Sequence, residues 1–250
     1  MTLLKNLTDV ELENMYEAGA VVLETMRVLQ RTEKNVVSDI MRFSDTFYEW
    51  EHIPTEDVYD FETHSQYYYH AHEKDGGVHD DEHGHFHTFL RAKGMPENLR
   101  PVKVDDFDPE KDIKDLSDIN SHIIGIGMDG NGLPMRLFTT NRWVTADTYY
   151  KAEDIIQMID LYNVDHTEPS WPVNLWVTNM IRLLKPQIIE LLKERDITLN
   201  EWKEKYPDRN LFEDRELEVT SLLDISIEEQ LDHIEEEMFR RNNAYLKEVV

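Results

Sequence analysis

The sequence predicts an α+β fold, an antiparallel β-sheet of four or more strands with helices packed on it from both chain ends. Three observations predict it. Residues 8–50 carry apolar side chains at helical spacing, residues 58–145 turn to aromatic-rich runs bounded by turn residues, and residues 152–247 return to helical spacing. At 250 residues, 40% of them hydrophobic, the chain is read as one domain with its own core.

Thr8 and Glu11 form a capping box, and Val10, Met15, Ala18, Val22, Met26 and Leu29 recur near helical spacing behind it. A second helical pattern runs from about Asn35 to Phe47, and Pro54 and Asp57 mark its end. Strand propensity is strong over Thr63–His70 and His85–Leu90. Residues 94–118, with Pro96, Pro101 and Pro109 among many aspartates, read as a surface loop. His122–Met128 and Leu133–Asn141 flank Asp129-Gly130-Asn131-Gly132, where Asn-Gly suits a two-residue type I′ turn. The strands are expected to pair in chain order. Helices follow over Ala152–Tyr162, Val173 to about Arg195, and Ile227 to about Tyr245. Pro172 suits a first turn, whereas Pro186 should kink or divide its helix. Ser226 and Glu229 cap the last helix, whose stripe of Ile227, Leu231, Ile234 and Met238 reads as a packing face.

Composition narrows the function. There is no cysteine, which excludes disulfides, thiolate nucleophiles and zinc ribbons. A net charge of −26 argues against nucleic acid as a partner. No apolar run approaches the roughly 20 residues of a membrane span. The N-terminal Met1-Thr2-Leu3-Leu4-Lys5-Asn6 lacks a signal-peptide core, so a cytoplasmic protein with a small-molecule substrate, and neither membrane nor nucleic acid, is expected. No phosphate loop, dinucleotide fingerprint or nucleophile elbow is present.

Two His-X-His pairs, His70-Ala71-His72 and His85-Phe86-His87, lie thirteen residues apart. A strand places i and i+2 on one face, about 6–7 Å apart. Folded back on each other, the two segments would bring four imidazoles together, with cross-strand Cβ atoms about 4.5–5.5 Å apart. One register sets His70 opposite His87 and His72 opposite His85; a two-residue slide sets His70 opposite His85 and His72 opposite His83. The predicted ligands are His70, His72, His85 and His87, with His83 or a carboxylate as a substitute for one of them. Without thiolates, an imidazole set suits one transition metal ion, iron, copper or zinc, and disfavours calcium and magnesium. His64 lies roughly 20 Å back along an extended strand and is excluded. His79 reads as a solvated loop residue, and His52, His166 and His233 show no partner.

Glu62, Glu73 and Glu82 are carboxylates near enough to ligate, orient an imidazole or act as a base. Gly125 and Gly127 alternate with Ile124, Ile126 and Met128, leaving one strand face open or closely approached, and Arg136 falls opposite one of these glycines. Arg136, or Arg142 beside Trp143, would hold an anionic substrate. Tyr68 could donate a proton or hydrogen bond.

The strings His64-Ser-Gln-Tyr-Tyr-Tyr-His-Ala-His72 and Glu82-His-Gly-His-Phe-His-Thr-Phe-Leu-Arg91, with Asn141-Arg142-Trp143 and Trp171-Pro172, resemble a bacterial family of unknown function. The resemblance covers most of the chain and implies a shared fold and site without naming a reaction. The expected function is therefore a histidine-ligated metalloenzyme, with oxygen chemistry at iron or copper or water chemistry at zinc. A non-catalytic metal carrier, buffer or sensor is the alternative, and a metal-free interaction protein the third reading.

Overall fold

A computed structural model describes residues 3–42, 51–71, 79–105, 107–116 and 119–249. Helix α1 (Asp9–Gln30) opens with the reciprocal cap the sequence predicts: the Thr8 amide donates to Glu11 Oε2 at 2.7 Å and the Glu11 amide donates to Thr8 Oγ1 at 3.2 Å. Its buried stripe is Leu12, Met15, Ala18, Gly19, Val22, Thr25 and Leu29. Val10, expected in that stripe, is 64% exposed; five residues before Met15, it lies well round the helix. Helix α2 (Val36–Met41) is capped by Asn35, which also donates through Nδ2 to the Asn131 carbonyl at 2.8 Å. The rest of the expected helix, towards Phe47, falls outside the described residues.

Six strands form one sheet in chain order, every neighbour antiparallel: β1 (Ile53–Tyr59), β2 (Ser65–His70), β3 (Gly84–Arg91), β4 (Asn120–Met128), β5 (Pro134–Thr140) and β6 (Val219–Asp224). The order agrees with the sequence reading, in which β1 and β6 are not assigned. A bulge breaks β1, and β6 is a short return between helices. The β4–β5 connection differs from the expected two-residue turn. Met128 pairs with Pro134, so the loop is Asp129–Leu133. The Asp129 carboxylate accepts from the Asn131 and Leu133 amides at 2.8 Å each, and Gly132 takes the left-handed φ of +75°. An Asx arrangement has replaced the tight turn.

Between β3 and β4 lies the short α3 (Pro109–Asp112); α4 (Arg142–Thr145) and α5 (Ala152–Met158) follow β5. Helices α6 (Trp171–Leu183) and α7 (Lys185–Lys205) meet at Leu184, the division Pro186 imposes because it has no amide to continue the ladder. The final helix is α8 (Ile227–Val249), with Ile227, Leu231, Ile234 and Met238 all packed into the core.

Helices cover the sheet face that carries Tyr67, Tyr69 and Phe86. Trp176 of α6 lies 5.5 Å from Phe86, ring to ring, and the Tyr67 hydroxyl donates to Asn174 Oδ1 at 2.6 Å. At the other end of the sheet, Ser221 Oγ donates to the Leu191 carbonyl of α7 at 2.8 Å. Strands β3 and β4 are buried along nearly their whole length, so their second face is covered too. Among the described residues no helix is long and apolar enough to cross a membrane.

Candidate metal centre

Strand alternation sends Tyr67, Tyr69 and Phe86 to the helix side and Tyr68, His70, His85, His87 and Phe89 to the opposite face. The observed register pairs His70 with His85 and Tyr68 with His87, the second of the two alternatives. One nitrogen from each of His70, His85 and His87 lies within 4.8 Å of the others. Ring centroids are 4.5 Å apart for His70–His85, 4.8 Å for His85–His87 and 5.3 Å for His70–His87. His72, the fourth expected ligand, lies outside the described residues. His85 and His87 are buried, and His70 is half-buried.

Glu82 joins this face as the carboxylate the sequence leaves open. Its side chain is inaccessible to solvent and sits between two imidazoles, with His79 Nδ1 2.9 Å from Oε1 and His85 Nδ1 3.1 Å from Oε2. Arg136 Nη1 is 3.5 Å from Oε1. His79, Glu82 and His85 form a second group whose donor atoms lie within 4.8 Å of one another. Glu82 can reach this position because of Gly127, where an added Cβ would stand 2.6 Å from its Oε1. Gly125 opens the way for Phe138 likewise, with ring atoms 2.4–2.7 Å from where a Cβ would be. The glycine face is thus closely filled, not open.

On the other side, His87 Nδ1 lies 3.0 Å from His122 Nε2. Burial pulls the His87 pKa well below its ordinary value, helped by the neighbouring His85, His122, His70 and His79. Burial, with the Arg195 charge, also takes His122 down to about 3. Both rings are therefore neutral at pH 7, as metal ligation and its supporting hydrogen bonds require. His87 Nε2 is buried without a hydrogen-bond partner among the described residues. If His122 donated to His87 Nδ1, Nε2 would carry a buried proton with no acceptor. The tautomer with His87 Nδ1 donating leaves a bare lone pair at Nε2 and is the less costly.

The outer edge is aromatic. Tyr68 stacks on His52 with centroids 3.6 Å apart and rings 8° from parallel, and it borders His70 and His87. Burial raises the Tyr68 pKa, so it holds its proton as a donor. His52 has gained a partner the sequence did not show: its Nδ1 is 2.8 Å from Asp57 Oδ1. Asp57 itself adopts φ +55° within the β1 bulge, a backbone conformation non-glycine residues seldom take.

Other expectations fall elsewhere. His79 is 5% exposed instead of solvated. His83 turns away, its Nδ1 2.7 Å from the Tyr69 hydroxyl on the helix side. His64 is held apart, hydrogen-bonded to Tyr59. Arg136 faces Gly127 as expected, but its guanidinium is committed: it donates to both Asp81 oxygens at 2.9 and 2.8 Å and lies 3.3 Å from Asp224. Arg142 donates to Glu213 at 2.8 Å and lies over the Phe107 ring. Neither is an open anion receptor.

His122 escaped the sequence reading because its parity is wrong. Gly125 and Gly127 share the histidine face, and an even-numbered residue on a regular β4 would point to the other. A bulge between Thr88 and Phe89 pairs Phe89 with His122, which shifts the phase and turns that ring inward.

Fold and site together define an α+β protein with an antiparallel meander and a buried imidazole cluster on the face away from Tyr67 and Phe86. The chain belongs to the family described as Domain of unknown function (DUF6969), whose model matches residues 16–225. That span includes every residue of the cluster. No curated protein matches the chain, and no solved structure does.

Proposed function

We propose that His70, His85 and His87 hold a transition-metal ion, and that the centre is catalytic towards a small molecule. The observation that carries this reading is the Nε2 of His87, buried beside two other imidazoles and without a hydrogen-bond partner among the described residues. An unsatisfied buried polar atom costs about 1–3 kcal/mol, and a cation at that position removes the cost. Nitrogen donors suit iron, copper or zinc, and three of them leave a coordination position for substrate or solvent. Zinc there would supply Lewis-acid and water chemistry; iron or copper would supply oxygen chemistry.

The chain's own groups have distinct roles. Glu82 fixes the His85 ring through Nδ1 and His122 fixes the His87 ring, and we assign Nε2 of each to the ion. Tyr68, kept protonated by burial, offers a hydrogen bond to whatever lies beside His70 and His87. Substrate approaches from the half-buried His70 edge, next to exposed His52.

The test is elemental analysis of untagged protein, wild type beside His70→Gln/His87→Gln, after dialysis. One equivalent of iron, copper or zinc lost from the double variant is the expected result. No metal in either protein, even after incubation with these ions, overturns the reading. A metal that exchanges freely and has no replaceable ligand position would instead make the protein a carrier or buffer.

A further inference from the structure

Of the second group, His79, Glu82 and His85, only His85 belongs to the ligand set just described; His79 and Glu82 take part through hydrogen bonds alone. We propose that this group is a second cation site, bridged to the first by the His85 ring; the inference rests on the reading of the first site. An imidazole carries nitrogens on two edges of its ring. His85 Nδ1 faces Glu82 at 3.1 Å, and the proposal assigns the other ring nitrogen, Nε2, to the ion shared with His70 and His87. Bound through both nitrogens, one ring holds two ions on the order of 6 Å apart, from two metal–nitrogen bonds of about 2.0–2.1 Å and the width of the ring. When both nitrogens bind, the ring's N–H proton leaves to solvent.

Three observations converge on this site. The donor set is two imidazoles and a carboxylate, all buried, with donor atoms mutually within 4.8 Å. That set suits zinc, cobalt or iron and leaves a position open. The buried Glu82 carboxylate shares the Arg136 guanidinium, 3.5 Å away, with Asp81 and Asp224, whose side chains are exposed to solvent. A divalent cation against Glu82 offsets its charge where water cannot, because the Glu82 side chain is fully buried. Finally, Gly127 is the residue that lets the Glu82 carboxylate reach this depth, as the 2.6 Å clearance shows.

The experiment is a titration of metal-free protein with Co²⁺, followed by its visible absorbance, with zinc content measured after dialysis on the same proteins. Wild type is expected to bind two equivalents. His79→Gln should bind one and keep the first site; His70→Gln should bind one and keep the second; His85→Gln should retain neither tightly. A wild-type titration that ends at one equivalent, with His79→Gln unchanged from it, overturns the second site and leaves the first standing. No binding by wild type overturns both. If a variant fails to fold, the wild-type melting temperature decides: a further rise on adding the second equivalent supports the inference, and a plateau after the first overturns it.

Discussion

Glu82 and Gly127 show how single residues set this site. An alanine at 127 would put its Cβ 2.6 Å from Glu82 Oε1 and 2.8 Å from Arg136 Cγ, so the carboxylate must withdraw from His85 and His79. Overpacking of this kind costs about 1–3 kcal/mol, and losing a group that orients a ligand lowers metal affinity about 10–100-fold. At Gly130 nothing lies within 4 Å of the added Cβ, so Gly130→Ala is expected within about 0.5 kcal/mol of wild type. Urea midpoints and competition against a chelator, measured on both variants, test the contrast; if Gly127→Ala behaves like Gly130→Ala, Glu82 is not positioned as described. The sequence makes the ligands legible at this scale and their supports much less so. His-X-His announces itself through strand periodicity. His79 and Glu82 meet because the Glu82 amide bonds back to the His79 carbonyl at 3.0 Å, a turn that no periodicity signals.

At the level of elements, local chemistry was readable where it is self-contained. The Thr8–Glu11 cap and the Pro186 break follow from residues near one another in sequence. Register and bulges do not, since they depend on the partner strand, and it is the β3–β4 bulge that brings His122 to the cluster. The docking of α6 on β2 is a further case, in which a buried hydrogen bond joins residues 107 positions apart, Tyr67 Oη to Asn174 Oδ1. Asn174 also donates through Nδ2 to the carbonyls of His166 and Glu168 at 2.8 and 3.0 Å. Asn174→Ala leaves the fully buried Tyr67 hydroxyl without its acceptor and should cost about 2–3 kcal/mol. Adding Tyr67→Phe removes the stranded hydroxyl, so the double variant should recover about 1 kcal/mol relative to additivity. Strict additivity in urea denaturation would mean that the contact does not couple the helix to the sheet.

For the whole molecule, acidity and the buried imidazoles respond to pH in different windows. The chain carries 52 aspartates and glutamates against 26 lysines and arginines. Glu11 and Glu237 have carboxyls held below the ordinary value, by Thr8 and by Arg240 respectively, so their contributions fade only below about pH 4.5. His87 and His122 act at higher pH. Their folded-state pKa values are depressed, so above about 6.5 they are neutral in both folded and unfolded chains and contribute nothing to the pH dependence. Below that, the unfolded chain takes up protons that the folded one cannot, and stability falls as pH drops towards the folded values. Between pH 7.5 and 5.5 each ring should cost about 1.4 kcal/mol, or about 3 kcal/mol for the pair. The acidic charge itself hardly changes over this interval, because carboxylates with ordinary pKa values near 4 stay ionised. The imidazole effect therefore governs, and the urea midpoint of metal-free protein should fall steadily from pH 7.5 to 5.5. His122→Asn should remove about half of that slope while leaving the trend. A midpoint that stays flat across the window would mean that these rings take up protons in the folded protein, and a neutral, ligand-ready His87 could not then be sustained.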